Sequence, residues 1–506
     1  MDLTFTVTAV VIYFAAMIAI GVYAFRKTQS GDEYMLGGRG LHPFTAALSA
    51  GASDMSGWLM MGLPGALYVS GLVEAWIAIG LTTGATLNWL FVAPRLRRFT
   101  EAANDSITIP SYFENRLGDT TRLLRIAAGL VILVFFTFYV SSGMVAGGVF
   151  FQSVFGGQYL TGMLIVAVIT VGYTTFGGFL GATYTDTVQG LIMLAALIVV
   201  PVVAIMVVGG PGEMIAAVND VNPTFSSLVK GATVIGVISS LAWGLGYFGQ
   251  PHIIVRFMAL RSAKDARYGT VVGIGWMVLS VIGVVITAMA GIAYFHQNPD
   301  QSLSDPEAVL LDLAQILMHP LVAGFVLAAV LAAIMSTVSS QLVVTSSALV
   351  EDLAGVFNPN MSKRGKLWFG RGGVLIVAVV AALLAIQRND TIMGLVSFAW
   401  AGFGAAFGPV VILSLFWRRL TNFGALAGMV GGAATAFVWG RFEEVSTMFG
   451  LLSGSLYEIV PGFIVNLVLA VVVSLATPKP GPEALRAFNR VADGDHNTAQ
   501  AEAAQA

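Results

Sequence analysis

Apolar runs of about 18 residues or more recur from near residue 5 to residue 476, and no other feature of the chain constrains its fold so tightly. Each run is long enough to cross about 30 Å of hydrocarbon as a helix, which satisfies its own backbone amides and carbonyls where water is absent. One or two anchors on a soluble body cannot account for so many. The composition agrees: 57% of the 506 residues are hydrophobic and 10% are charged, against about 25% charged in a soluble globular protein. A formal net charge of -2 without any basic tract leaves no footprint for nucleic acid. The absence of cysteine excludes disulfides, thiol catalysis and cysteine-ligated metal.

Apolar runs read between polar breaks predict thirteen spans, at about 4–25, 43–70, 73–94, 123–155, 159–177, 182–208, 231–256, 270–295, 320–350, 370–387, 392–417, 422–440 and 457–476. The first, Thr4 to Phe25, is too long for a signal-peptide core and has no small-residue cleavage site before Arg26-Lys27, so it reads as a retained helix. The run at 320–350 exceeds what a bilayer needs and is expected to tilt or continue beyond it. Together the spans form one transmembrane domain over residues 1–476, uninterrupted by any soluble module. Residues 477–506, rich in Pro, Ala and polar side chains, read as a short tail.

Basic residues set the orientation. Alternate connections hold Arg26, Lys27 and Arg39, then Arg95 to Arg125, Arg256 to Arg267, Lys363 to Arg371, and Arg418 with Arg419, before the basic residues of the tail. The opposite face keeps only Lys230, Arg388 and Arg441 of the 25 Lys+Arg. By the positive-inside rule the N-terminus is outside and the C-terminus cytoplasmic.

Two spans are built to break. In the second, Gly51-Ala52-Ser53-Asp54-Met55-Ser56-Gly57 sets two glycines, two serines and an acid at membrane depth, where an aspartate costs about 2.5–3.5 kcal/mol on insertion scales. In the seventh, Trp243-Gly244-Leu245-Gly246-Tyr247-Phe248-Gly249-Gln250-Pro251 combines three glycines with a proline that lacks an amide donor. Once the first helix is set aside, these spans open two successive five-helix units, 43–208 and 231–417. Five is odd, so the units face opposite ways, as in an inverted repeat whose unwound midplane segments meet ion and solute. The competing account is that glycine-rich stretches are packing surfaces.

The stretches SAGASDMSGWLMMGLPGA (49–66), YTDTVQG (184–190), WGLGYFGQPHI (243–253), AAIMSTVSSQL (332–342) and VSFAWAGFGAAFGPV (396–410) closely resemble the proline-type branch of the solute:sodium symporter family. The likeness runs from about residue 5 to residue 476. It implies an all-α polytopic protein with the leucine-transporter-like five-plus-five core, one helix in front (4–25) and two behind (422–476). It also implies sodium-driven uptake of L-proline across a bacterial cytoplasmic membrane. No enzyme activity, organic cofactor or obligate protein partner is implied.

Sodium is a hard cation that takes oxygen ligands. Residues 333, 336, 337 and 340 share one helical face, and Ser336, Thr337, Ser339 and Ser340 supply hydroxyls there. The resemblance assigns the carbonyls of Ala52, Met55 and Ala333, with the hydroxyls of Ser336 and Thr337, to the main sodium site. Such hydroxyls otherwise bond the carbonyl of the preceding turn. Asp54 resembles the family's acid beside the sodium path, and its alternative role is to cap a half-helix starting near Ser56. Asp186 is either an ordinary residue at a span's cytoplasmic end or, as in some family members, part of a second sodium site with Ser339 and Ser340. Ser340 is a position where the proline-type pattern varies.

Proline is a zwitterion with an apolar ring, so its site needs donors, acceptors and an aromatic wall. Amides near Ser56 and Gly57 suit the carboxylate. The resemblance assigns Tyr139, Trp243 and Tyr247 to the solute, whereas ordinary packing is the general role of such side chains. Pro251 is expected to fix the bend. Arg39, in LGGRG, matches a family position at the cytoplasmic mouth or serves only as a solvated topogenic arginine. The rival solutes are pantothenate, a sialic acid or a monocarboxylate, against which the GYFGQP run favours proline. Rival classes are a channel, which lacks stoichiometric coupling, and a sensor, whose kinase would not fit in the about 30 residues after the last span.

Overall fold

The computed structural model describes residues 3–27, 36–303, 305–357, 361–387, 390–442 and 456–503. Arg388, one of the three basic residues expected on the outer face, lies outside these, as do residues 504–506 of the expected tail. Among the described residues every named element is helical, and the one pairing of extended type is an isolated parallel bridge between Leu41 and Leu260.

Among the described residues ten helices are long and apolar enough to cross a membrane. The expected spans at 159–177 and 231–256 contain shorter apolar helices, Tyr159–Gly172 and Val234–Phe248, and the first half of the span at 43–70 is the separate helix Pro43–Asp54. Interruption shortens the first two, and the remainder of 43–70 joins 73–94 in one helical stretch, Trp58–Ala102. Residues Tyr159–Val207 run as 49 helical residues around a break at Gly178, whose φ of 59° and ψ of -161° are open to glycine and strained for other residues. At about 1.5 Å per residue an unbroken helix of that length would be more than twice as long as the hydrocarbon is thick, so a stretch of this length needs a break to fit a membrane.

Local chemistry starts several of these helices. His42 accepts the amide of Phe44 with Pro43 at the first helical position, and Thr233, Thr391 and Thr421 accept the amides of Gly236, Gly394 and Gly424. Tertiary position then separates them. The apolar windows of Pro320–Ala354 and Ile392–Phe416 are 83% buried, against 22–50% in the other eight, so these two form the centre of the bundle. Peripheral helices turn apolar side chains outward, as Leu375, Ile376, Val379 and Leu383 do on Lys363–Ala385, a surface suited to lipid.

Within the expected tail, Pro482–Ala503 is a helix. Its Ala484, Phe488 and Val491, spaced by four and three residues, are buried. The Phe488 ring lies 5.6 Å from that of Phe99, and the Arg116 guanidinium sits 4.9 Å from Phe488 and 5.1 Å from Phe99. The segment is too poor in large apolar residues to fold alone, but it docks through one short stripe.

Candidate functional site

The first break falls where glycine, serine and aspartate were concentrated. The helix Pro43–Asp54 ends as Met55 leaves helical geometry at φ -82°, ψ 75°. The chain then resumes through a wide turn at Trp58–Gly62 into the helix Leu63–Ser70. Asp54 does not cap that second half. Ser56 does so instead, its Oγ accepting the Trp58 amide at 3.3 Å, while the Trp58 indole donates to the Asp54 carbonyl at 3.0 Å. The Ser56 amide, expected to be free for an anion, donates to the Asp54 carbonyl at 2.9 Å. Gly57 is packed so that an added Cβ would press on Ala146 and Ile334.

The hydroxyl-bearing helix Pro320–Ser347 runs directly against this break. Ser336 Oγ donates to the Ala52 carbonyl at 2.8 Å and lies 3.1 Å from the Ala333 carbonyl, which also accepts from Thr337 Oγ1 at 3.3 Å. Four of the five residues expected around sodium are thus joined by hydrogen bonds in a fully buried patch of carbonyl and hydroxyl oxygens. The fifth, Met55, is the residue at which the half-helix ends. Oxygens alone, away from water, suit a hard monovalent cation.

The second break is a 3-10 turn, Trp243–Phe248, between the helices Val234–Ala242 and Pro251–Met258. Pro251 occupies the first position of the latter, where its missing amide costs nothing. Side chains from elsewhere hold the unwound carbonyls: Asn88 donates to Tyr247 O at 2.9 Å and Trp400 to Trp243 O at 2.8 Å. Gln250 in turn donates to Trp400 O at 3.1 Å. The Trp243 ring stacks on Tyr457 at 5.2 Å and on Trp400 at 6.3 Å, and tilts against Trp58 at 6.1 Å. A cleft of about 570 Å³ reaches Trp243 and Tyr457, and its lining comes from connections and span ends that the basic-residue count places on the outer face.

Asp54 joins the two breaks. Tyr247 donates its phenolic hydrogen to Asp54 Oδ2, and Tyr247 Oη also lies 3.9 Å from Met277 Sδ. Tyr139 packs edge-on to His252 at 5.8 Å. Among the described residues no group hydrogen-bonds Asp54 Oδ1, Tyr139 Oη or either ring nitrogen of His252, and all four atoms are buried. Buried polar atoms almost always have partners, so these four atoms stand out between the two breaks.

Asp186 is no ordinary helix-end residue. Fully buried, it accepts from Ser49 Oγ at 2.8 Å, Ser340 Oγ at 3.2 Å and Arg256 Nη2 at 3.0 Å. Ser339, paired with Ser340 in the sequence-based expectation, points elsewhere and donates to its own helix at Ser336 O. Adjacent residues on a helix lie about 100° apart, so one of the two must turn away. Arg256, counted from sequence among the cytoplasmic basic residues, is 1% exposed and inside the bundle. Arg39 lies apart from all three clusters, bonded to Thr100, Asp105 and the Ser106 carbonyl, and is therefore more than a solvated charge.

Sequence reasoning missed Asn88, His252, Arg256, Trp400 and Tyr457. Trp400 and His252 lay inside quoted motifs, but no local signal distinguished them from packing residues.

The model of the Sodium:solute symporter family matches residues 34–432. The chain is 54% identical over 478 residues to the High-affinity proline transporter PutP of Bacillus subtilis (strain 168), covering 94% of this chain and 99% of that one. It is 48% identical over 502 residues to the Sodium/proline symporter of Staphylococcus aureus (strain NCTC 8325 / PS 47), covering 96% of each. Its fold matches that of a Na+-coupled sialic acid symporter in a substrate-bound outward-open state with a TM-score of 0.79, over 94% of this chain and 99% of that chain. At 19% identity that last likeness is one of fold alone. Two broken helices joined through an aspartate, a buried oxygen cluster beside the first break, and a family match across most of the bundle have one common account: the chain belongs to the Sodium:solute symporter family.

Proposed function

We propose that this chain is a sodium-coupled symporter that imports L-proline across a bacterial cytoplasmic membrane by alternating access. The observation that carries the ion half is the bond from Ser336 Oγ to Ala52 O, which brings the hydroxyl helix onto the first break with no side-chain charge between them. Sodium is held by the carbonyls of Ala52, Met55 and Ala333 and the hydroxyls of Ser336 and Thr337. By occupying that junction it fixes the end of the half-helix that carries Asp54, and Asp54 fixes Tyr247 in the second break. Ion binding therefore orders the solute site, the differential interaction that coupling requires. The names of the two relatives support proline as the solute.

In this reading the bundle has thirteen spans, an outer N-terminus and a cytoplasmic C-terminus. Its core is an inverted repeat of 43–208 and 231–417. With that orientation the cleft opens outward and leads to Trp243 and Tyr457, the aromatic wall for the proline ring. Tyr139 and Tyr247 complete the wall, while Arg39 holds the cytoplasmic connection to residues 100–106. Each sodium charge entering gains about 2.3 kcal/mol per 100 mV of membrane potential, in addition to its concentration gradient.

The test is uptake of labelled proline into proteoliposomes under an imposed sodium gradient, with unlabelled amino acids and carboxylates as competitors. Accumulation that collapses when potassium replaces sodium is expected. Equal uptake in potassium overturns the symport, and stronger competition by pantothenate, a sialic acid or a monocarboxylate than by proline overturns the solute.

A further inference from the structure

All three nitrogens of the Arg256 guanidinium are hydrogen-bonded inside the bundle, two of them to side chains beside the candidate ion site. Nη2 donates to Asp186 Oδ2 at 3.0 Å and to Ser340 Oγ at 2.6 Å, Nε donates to Ser49 Oγ at 3.1 Å, and Nη1 donates to the His252 carbonyl. The three side-chain oxygens also bond one another, from Ser49 to Asp186 at 2.8 Å and from Ser340 to Asp186 at 3.2 Å. A carboxylate and two hydroxyls converging in a dry interior are the donor set of a small-cation site. Here a covalently attached cation fills it. Asp186 Oδ1 remains without a hydrogen-bond partner among the described residues, so the acid has acceptor capacity beyond its arginine.

From this geometry we infer that the Arg256 guanidinium is the built-in occupant of a second cation site, so that a single mobile sodium accompanies each solute. The inference rests on the sodium-symport reading. Ser336 and Ser340 are four residues apart on one helix face, which sets the two positions about one turn from each other. A sodium at the upper position is free to bind and leave. The charge at the lower one cannot leave, and it neutralises Asp186 in every state of the cycle. It also ties together the elements that carry Ser49, Asp186, Ser340 and Arg256 itself. An exchangeable ion would let that junction open when the ion departed, whereas the guanidinium keeps it closed. Removing the arginine while keeping Asp186 leaves an uncompensated buried carboxylate, a strongly unfavourable state that a second sodium relieves.

The experiment is equilibrium binding of radioactive sodium to the purified full-length protein at saturating proline, for the native protein, Arg256→Gln and the double variant Asp186→Asn/Arg256→Gln. One sodium per chain is expected for the native protein, two for Arg256→Gln, and one again for the double variant. If Arg256→Gln is poorly folded, its thermal midpoint in detergent is followed as sodium is raised. The expected outcome is rescue by sodium beyond that of the native protein, with no such excess in the double variant. One sodium on a folded Arg256→Gln, two on the native protein, or no excess rescue overturns this inference alone. Absence of saturable sodium binding by the native protein overturns the symport reading and this inference with it.

Discussion

Ser336, Thr337 and Trp243 carry the predictions that belong to single side chains. Ser336→Ala removes both a candidate ion ligand and the link to Ala52 O. A bond to a charged group is worth about 1.5–3 kcal/mol. The sodium concentration for half-maximal uptake should therefore rise about tenfold or more, with competition among solutes unchanged; Thr337→Ala should act in the same direction, more weakly. Altered competition at unchanged sodium dependence would move these residues to the solute site. Trp243→Ala removes the ring stacked on Tyr457 and Trp400. Equilibrium binding of labelled proline should weaken by about tenfold, the scale of one buried aromatic face. The residue types at these places were legible in the sequence because chemistry so foreign to lipid stands out within an apolar run. Their partners were not, as Asp54 and Tyr247 are 193 residues apart and only packing brings them together.

Helical elements show why the breaks persist. The helix Ala75–Leu87 lies along the second break, and a Cβ at Gly84 would fall on the Gly244 carbonyl oxygen. Backbone cannot yield as a flexible side chain does, so Gly84→Ala should displace the 3-10 turn and the carbonyls that Asn88 and Trp400 hold. Uptake should fall at least tenfold, while sodium binding to the first break and the hydroxyl helix is kept; normal uptake would show that the contact is slack. Here two pictures prove compatible. Glycines pack helices closely, as the competing account required, and the close packing holds a segment unwound. Apolar periodicity located the elements and the boundary between 159–177 and 182–208 where Gly178 breaks the helix, but it could not show that Pro482–Ala503 docks on Phe99.

For the molecule as a whole, orientation is the prediction at stake, and a chain without cysteine invites a direct test. Single substitutions Lys230→Cys and Arg418→Cys should differ in intact cells: a membrane-impermeant thiol reagent is expected to label the first and to spare the second until the cells are opened. Labelling in the opposite order would invert the topology. The sequence by itself determined that the chain is a many-helix membrane protein and which spans are interrupted, and it set the expected side of the basic connections. Those properties are local or additive, since the transfer of each run into lipid and the position of each charge depend on neighbouring residues alone. Only the tertiary structure decided that Arg256 is buried against Asp186, that Ser340 rather than Ser339 meets that acid, and that Ser56 rather than Asp54 caps the second half-helix. Each of these depends on the direction in which a side chain points and on what distant segment meets it, which residue type and spacing leave open until the helices pack.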